Sequence, residues 1–271
     1  MLFNAIVWDP SMGIDLGFFT VRYYSLMFLI AFTLGYFIMK KVYKYEGIPE
    51  EKLDPLFMYT VIATLVGARL GHVIFYQPEL FTEDPLSIIL PMQFVPEFKF
   101  TGFRGLASHG AAIGIVVAMY LYSKRVLKKN ILWILDRITM PVAIGGMFVR
   151  IGNFFNSEIV GKPTQSDFGV IFVQLGENFP RHPAQLYEAF GYLLTFIIIW
   201  ILYWKTDKRQ LLGYIFGLFL ILLWTVRFLI EFIKKAQVED RSDWAINTGQ
   251  WLSIPFIIIG IYLLVRAKKV E

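Results

Sequence analysis

Cysteine is absent from the 271 residues. That excludes disulfides, a thiolate nucleophile and a cysteine-ligated metal. Histidine is scarce: His72, His109 and His182 are the whole set. Neither an HExxH motif nor an acidic cluster accompanies them, so a metal mechanism has little to build on. GxSxG-type nucleophile motifs are missing as well. The first residues, MLFNAIVWDPSMGIDLGFF, carry acids and no positive run before an apolar one, unlike a cleaved signal peptide. No internal repeat or low-complexity segment occurs, which withdraws support from an inverted-repeat transporter.

Charge is thin at 17% of residues, while apolar side chains make up 56%, with 26 phenylalanines and a mean hydropathy of +0.56. That is more apolar surface than a soluble core needs, and it fits a polytopic membrane protein. Seven stretches are long and apolar enough to span: 22–40, 55–76, 106–123, 131–150, 186–204, 211–233 and 250–266. The sequence therefore predicts an all-α fold, a single integral membrane domain over 1–271. Small residues seed the third span (Gly110, Ala111, Ala112, Gly114) and the fourth (Ala143, Gly145, Gly146), allowing close helix approach in lipid.

Lysine and arginine orient the spans. One set of connections holds Lys40, Lys41, Lys44, Lys52, Lys124, Arg125, Lys128, Lys129, Lys205, Lys208, Arg209, Arg266, Lys268 and Lys269; the opposite set holds half as many. The first set is assigned to the cytoplasm, placing the N-terminus outside and the C-terminus inside. The net charge of +5 is then a property of cytoplasmic loops and does not call for nucleic acid. Two outer connections are long. Residues 77–105, with Pro78, Pro85, Pro91 and Pro96 among aromatics, suggest an external arm at the interface. Residues 153–185 suggest a small external head, with a short strand within FGVIFVQL (168–175).

Against this background stand the polar residues. The tract VRIGNFFNSEIVG (149–161) carries Arg150, Asn153, Asn156 and Glu158 at the end of an apolar run. Charge at bilayer depth is expensive and is usually kept for pairing or function. With directions assigned, Arg22 and Tyr24, Arg69, His109, Arg150 with Asn153, and Arg227 with Glu231 all fall toward the outer side. Each has a structural reading. Arg22 can snorkel, Arg69 can pair with a neighbouring helix, and Arg227 and Glu231, four apart, can neutralise each other. His109 can be a packing residue, Tyr24 and Tyr187 can be interfacial aromatics, and RHPAQLYE (181–188) can be a helix start. Arg137, beside Asp136 near an inner end, reads as structural. A functional reading joins the outer set: guanidinium groups bind phosphate bidentately and stay charged, and at the outer interface the abundant phosphate is a phospholipid head group. A transporter using these arginines for binding alone is the alternative. A CDP-alcohol-type phosphotransferase would need a repeated-Asp metal motif that the chain lacks.

The tract RIGNFFNSEIVG resembles the signature of the bacterial prolipoprotein diacylglyceryl transferases, usually close to GRxGNFxNGExxG. RYYSL (22–26), GARLGH (67–72), LASHGA (106–111), RHPAQLYE (181–188), RFLIEF (227–232) and GQWLSIP (249–255) extend the resemblance over nearly the full length. It implies a seven-span, N-out enzyme of the bacterial inner membrane, without cofactor or metal. Such an enzyme moves the diacylglyceryl group of phosphatidylglycerol onto the lipobox cysteine thiol of a prolipoprotein signal peptide. A thioether forms and glycerol-1-phosphate leaves. The family's functional positions fall on Tyr24, His109, Arg150, Asn153, Asn156, Glu158, Gly161, Arg227 and Glu231. In that scheme His109 is the base, and Arg150 and Arg227 hold the phosphate. Glu231 orients Arg227 or takes the proton, Asn153 and Tyr24 bond glycerol or phosphate oxygens, Gly161 leaves room for close approach, and Arg69 is a substrate-binding candidate, behind the site or at its entry. Val149, Ser157 and Ala111 stand where the family pattern usually has glycine. At Val149 and Ser157, which replace the most permissive residue, the departure bears on the local backbone rather than on the charged roles.

Overall fold

A computed structural model describes residues 5–17, 20–90, 92–94, 97–100, 105, 107–235 and 246–269. It is mostly helical. Six helical segments are long and apolar enough to cross a membrane: Tyr23–Tyr45, Glu50–Phe75, Gly110–Leu127, Ile131–Phe155, Ala184–Lys205 and Gly249–Arg266. The remaining expected span, 211–233, is a shorter apolar helix, Tyr214–Ile230. The helices are α1 (Tyr23–Tyr45), α2 (Leu53–Tyr76), α3 (Leu80–Glu83), α4 (Leu86–Ile89), α5 (Ser108–Tyr122), α6 (Ile131–Phe155), α7 (Ala184–Lys205), α8 (Tyr214–Ile230) and α9 (Thr248–Arg266). The chain divides into two compact units, Lys40–Ile134 on one side and Met1–Met39 with Leu135–Glu271 on the other.

Within the unit Lys40–Ile134, α2 and α5 pack with their backbones almost touching. A Cβ added at Gly71 would lie 2.6 Å from the Gly110 Cα, and one at Gly114 would lie 2.6 Å from the Ala63 carbonyl oxygen. The small residues expected to bring helices together in the third span thus have their counterparts in GARLGH. α5 runs into a π-helical turn, Ser123–Leu127, and Lys128 at φ 56° ends it. The buried Tyr43 and Tyr122 hydroxyls bond each other at 2.8 Å, and Tyr122 donates to the Lys52 carbonyl. Arg69 leaves α2 toward the arm, where it donates to the carbonyls of Ser87 (2.8 Å) and Ile88 (3.3 Å). The arm itself holds α3, α4 and the antiparallel pair β4 (Met92–Gln93) and β5 (Lys99–Phe100). Buried Asp84 accepts from the Phe94 N–H at 2.8 Å, while Phe81, Leu86, Ile89 and Phe98 are exposed.

The other unit is a row of helices held at small residues. α1 and α6 run antiparallel: Tyr24 packs on Gly152, Ala31 on Gly145, and Gly35 on Pro141. Tyr192 of α7 lies against Gly146 of α6, Val226 of α8 against Gly191 of α7, and Gly217 of α8 against Gly260 of α9. Trp224 and Phe256 stack at 4.1 Å across α8 and α9. β7 (Leu211–Leu212) pairs with β8 (Lys268–Lys269), which ties the start of α8 to the end of α9.

Asp136 on α6 organises the end of this row where α6 and α8 begin. Its carboxylate accepts from the N–H groups of Gly213 and Phe216, each at 2.8 Å, and so caps α8 from another helix. Arg137 donates to the Arg209 carbonyl and lies over the Tyr203 ring. That is a structural assignment, as the sequence suggested for Arg137.

At the opposite end of α6 a small head forms. β6 (Val170–Phe172) falls inside the tract expected to hold a strand, then gives way to a 3-10 turn at Val173–Leu175. Its partner, β1 (Ile6–Trp8), pairs in parallel and was not foreseen from sequence. Phe154, Val160, Val170 and Phe172 form the head's core, with Trp8 packed against them. β2 (Gly13–Asp15) and β3 (Thr20–Arg22) form a further antiparallel pair that leads into α1. Arg22 ends β3 exposed, as a snorkelling residue would. Arg181 grips Glu177 through two bonds and donates to the Gly161 carbonyl. That guanidinium holds the Glu177 carboxyl below the usual carboxylate range.

Candidate active site

The row brings one level of five helices together, and Arg150, Glu188, Arg227, Glu231 and Lys234 gather there. Arg150 stands in the penultimate turn of α6. Its Nε meets Glu188 Oε2 of α7 at 2.7 Å, and its Nη1 donates to Asn153 Oδ1 at 3.2 Å. Asn153, 3% exposed, passes the chain on, donating to Glu158 Oε2 at 3.3 Å; Asn156 donates to Glu158 Oε1 at 2.9 Å. Glu188 is fully buried and shares its other oxygen with Lys234 Nζ at 2.7 Å. Lys234, 3% exposed, also reaches Glu231 Oε2 at 3.4 Å. Arg150, Glu188, Lys234 and Glu231 therefore alternate in sign and cancel. Charges this deep are tolerable when paired and hydrogen-bonded.

Arg227 is the cation left over. It follows Trp224 on α8, whose ring lies 5.6 Å from its guanidinium carbon. Among the described residues no carboxylate comes within 4.0 Å of it, and its buried Nε has no hydrogen-bond partner. Glu231, four residues on, was open from sequence as its partner; the structure turns that carboxylate to Lys234 instead. Arg150 and Arg227 share Glu188 and Tyr192 as electrostatic neighbours, so the two guanidiniums lie near the same pair of α7 side chains. Tyr24, packed on Gly152, has Glu158, Arg150 and Asn153 as its polar neighbours.

The loop joining α6 to the head shapes the site's rim. The helix stops because Ser157 (φ 53°) and Ile159 (φ 56°) both take left-handed conformations. Such angles are uncommon for serine and a strained outlier for a β-branched residue. The loop is fixed by Glu158 N–H to the Asn153 carbonyl at 2.9 Å and by the buried Gln185 side chain on the Glu158 carbonyl. Ser157 Oγ and Gln185 Oε1 are buried without a hydrogen-bond partner.

Three further candidates do not enter this network among the described residues. At Gly161 the close approach seen is the protein's own, on the side where a side chain would project. A Cβ there would meet the His182 Cβ and carbonyl oxygen at 2.6 Å, and the Ile233 carbonyl at 3.0 Å, so two passing backbones fill the space. Arg69 holds the arm by the bonds given above. His109 falls in the first turn of α5, but its side chain lies outside the described residues.

A model of the prolipoprotein diacylglyceryl transferase family matches residues 11–266. The chain belongs to that family. Proteins called phosphatidylglycerol–prolipoprotein diacylglyceryl transferase in Tolumonas auensis, Bacteroides fragilis and Chloroherpeton thalassium are each 40% identical to it. The alignments cover 96%, 97% and 98% of this chain and 96%, 95% and 96% of those proteins, respectively. The chain is a multi-pass membrane transferase, and a transporter reading has no relative among these to rest on.

Sequence reasoning passed over Glu188, Lys234 and Tyr192, although the family tract RHPAQLYE contains the first. One signal was available. Gln185, Glu188, Tyr192, Thr195 and Ile199 recur at helical spacing on the buried face of α7. A glutamate on that stripe demands a cation, and the family member has two beside it.

Proposed function

We propose that this transferase moves the diacylglyceryl group of phosphatidylglycerol to the lipobox cysteine thiol of a prolipoprotein signal peptide. The sulfur forms a bond to the terminal glyceryl carbon and the bond from that carbon to the phosphate oxygen breaks. Glycerol-1-phosphate leaves with the electron pair, and the thiol proton goes to His109 as base. The product is a thioether.

The observation that carries this reading is the Arg227 guanidinium, which pairs with no carboxylate among the described residues. Four neighbours cancel among themselves, so a phosphodiester monoanion arriving beside Arg227 meets one cation that is not already satisfied. Its donors can bind phosphate oxygens bidentately and strengthen their hold as charge grows on the departing phosphate. Arg150, kept in place by Glu188, faces the same site and shares the load. Asn153, Asn156 and Glu158 form the polar rim where glycerol hydroxyls would bind, and Tyr24 closes that side. The substrate supplies the thiol, which is why an enzyme without cysteine can run this chemistry.

The same reading sets the protein in the bacterial inner membrane with seven crossings, the N-terminus and head outside and the C-terminus in the cytoplasm. α8, at 17 residues, is about 26 Å long, close to a hydrocarbon core of roughly 30 Å. The excess of basic residues at the other end supports the orientation.

The test is reconstitution in phosphatidylglycerol vesicles with a lipobox peptide, read by peptide mass. Wild-type protein adds one diacylglyceryl mass. Arg227→Ala and Arg150→Ala insert normally and lose on the order of 10²–10³ in rate, the usual cost of one transition-state donor. Near-wild-type rates in either would remove the phosphate grip.

A further inference from the structure

Glycine in the first turn of a helix needs a reason, because alanine is the better helix former. Gly249 is such a residue, in the first turn of α9, and its φ is not left-handed. What it faces is the Glu231 carboxylate. A Cβ at 249 would lie 2.6 Å from Oε1 and 2.7 Å from Oε2, and with both oxygens that near, turning the carboxyl gives no relief.

The rest of that turn is fitted to the end of α8. Asn247 and Gln250 cap α9 reciprocally, Gln250 N–H to Asn247 Oδ1 and Asn247 N–H to Gln250 Oε1, each at 3.0 Å. Their amide nitrogens face the other way. Asn247 Nδ2 donates to the Glu231 carbonyl at 3.1 Å and Gln250 Nε2 to the Phe228 carbonyl at 3.4 Å. These are carbonyls that a helix end leaves without an internal partner. The start of α9 is thus locked on the turn that carries Arg227 and Glu231, with the glycine against the carboxylate.

We propose that Gly249 is a positioning residue for the transfer reaction. It leaves the Glu231 carboxylate room on the Lys234 side and so keeps Arg227 free for the anionic head group. Any side chain at 249 displaces that carboxylate, and the cation four residues back on the same helix face is the nearest place for it to pair. Arg227 would then reach phosphate only by first giving up an ion pair. The inference rests on the assignment of Arg227 to phosphate.

The experiment uses full-length Gly249→Ala in mixed micelles, varying phosphatidylglycerol and lipobox peptide separately. KM for phosphatidylglycerol rises at least about tenfold, as expected when a binding group is misplaced by an ångström or so. KM for the peptide stays within about twofold, a split that general loosening of the fold would not give. Gly249→Ala/Glu231→Asp, which withdraws the carboxylate by one methylene, recovers part of the lipid affinity lost in Gly249→Ala. An unchanged lipid KM in folded Gly249→Ala overturns the proposal, and so does a double variant no better than the single. If Gly249→Ala alone does not accumulate, the double variant decides: folded with lipid affinity above that of Glu231→Asp sustains the idea, and anything else overturns it. Should Arg227→Ala itself keep normal lipid affinity, the phosphate assignment falls first. Loss in Arg227→Ala with none in Gly249→Ala removes only this inference.

Discussion

In the orientation we propose, α6 has an inner end at Asp136 and an outer end at Arg150; both bury charge, and they treat it differently. At the inner end, both oxygens of Asp136 cap α8 and Arg137 bonds the connection that precedes it. At the outer end the polar side chains are more numerous, yet Arg227 Nε, Ser157 Oγ and Gln185 Oε1 have no hydrogen-bond partner. Buried polar groups are nearly always satisfied, and leaving one unmet costs about 1–3 kcal/mol. At the Asp136 end, by contrast, the charged groups are spent on capping and on backbone carbonyls, and only the Trp204 Nε1 is buried without a hydrogen-bond partner among the described residues.

The sharpest way to break that contrast is Glu188→Gln. The amide keeps the shape of Glu188 but takes away the charge that Arg150 and Lys234 share. Unpairing a buried ion pair typically costs about 3–5 kcal/mol. We expect a clear drop in thermal stability in detergent together with a loss of turnover on the order of 10², since Arg150 is no longer aimed. Adding Lys234→Met removes the orphaned cation and should restore most of the stability without restoring turnover. If the double variant regained full activity, Glu188 would be part of the scaffold only, and the outer end would resemble the inner one.

Asp136→Ala makes the reciprocal test. Two N–H groups at the start of α8 lose their acceptor, which by analogy with other caps costs about 1–2 kcal/mol. Specific activity of the folded fraction should not change. A fall in turnover at constant folded protein would show that the inner end reaches the chemistry.

Sequence alone went far at the outer end because charge in an apolar chain is conspicuous. Arg150, Asn153, Arg227 and Glu231 could be placed at one level simply by counting spans and directions. Their pairing could not be read. Arg227 and Glu231 looked like partners at a spacing of four, and only the fold shows Lys234, from the chain beyond α8, taking the carboxylate. Glu188 escaped because one acid inside a helix start looks like a dipole complement. Gly161 reported that something comes close without naming it, and on the side a Cβ would take that is the backbone at His182 and Ile233. The head's β1 was illegible for a different reason: three residues of strand carry almost no periodicity, and the partner lies more than 160 residues away.

Ser157 is the smallest test and joins both themes. The family pattern has glycine there, and the residue sits at φ 53° with a buried, unpartnered hydroxyl. Ser157→Gly relieves the left-handed backbone, worth about 1–2 kcal/mol, and removes the unmet hydroxyl. It gives back about 0.4–1 kcal/mol through the freer unfolded chain. The net expectation is a gain on the order of 1 kcal/mol in stability with turnover unaltered. Ser157→Ala separates the parts, because it deletes the hydroxyl and keeps the strained φ. If both variants lost turnover by similar factors, the hydroxyl would be assigned to the substrate. In that case the capacity held back at the outer end would include Ser157 along with Arg227, and the difference between the two ends of α6 would be larger than the charged residues alone suggest.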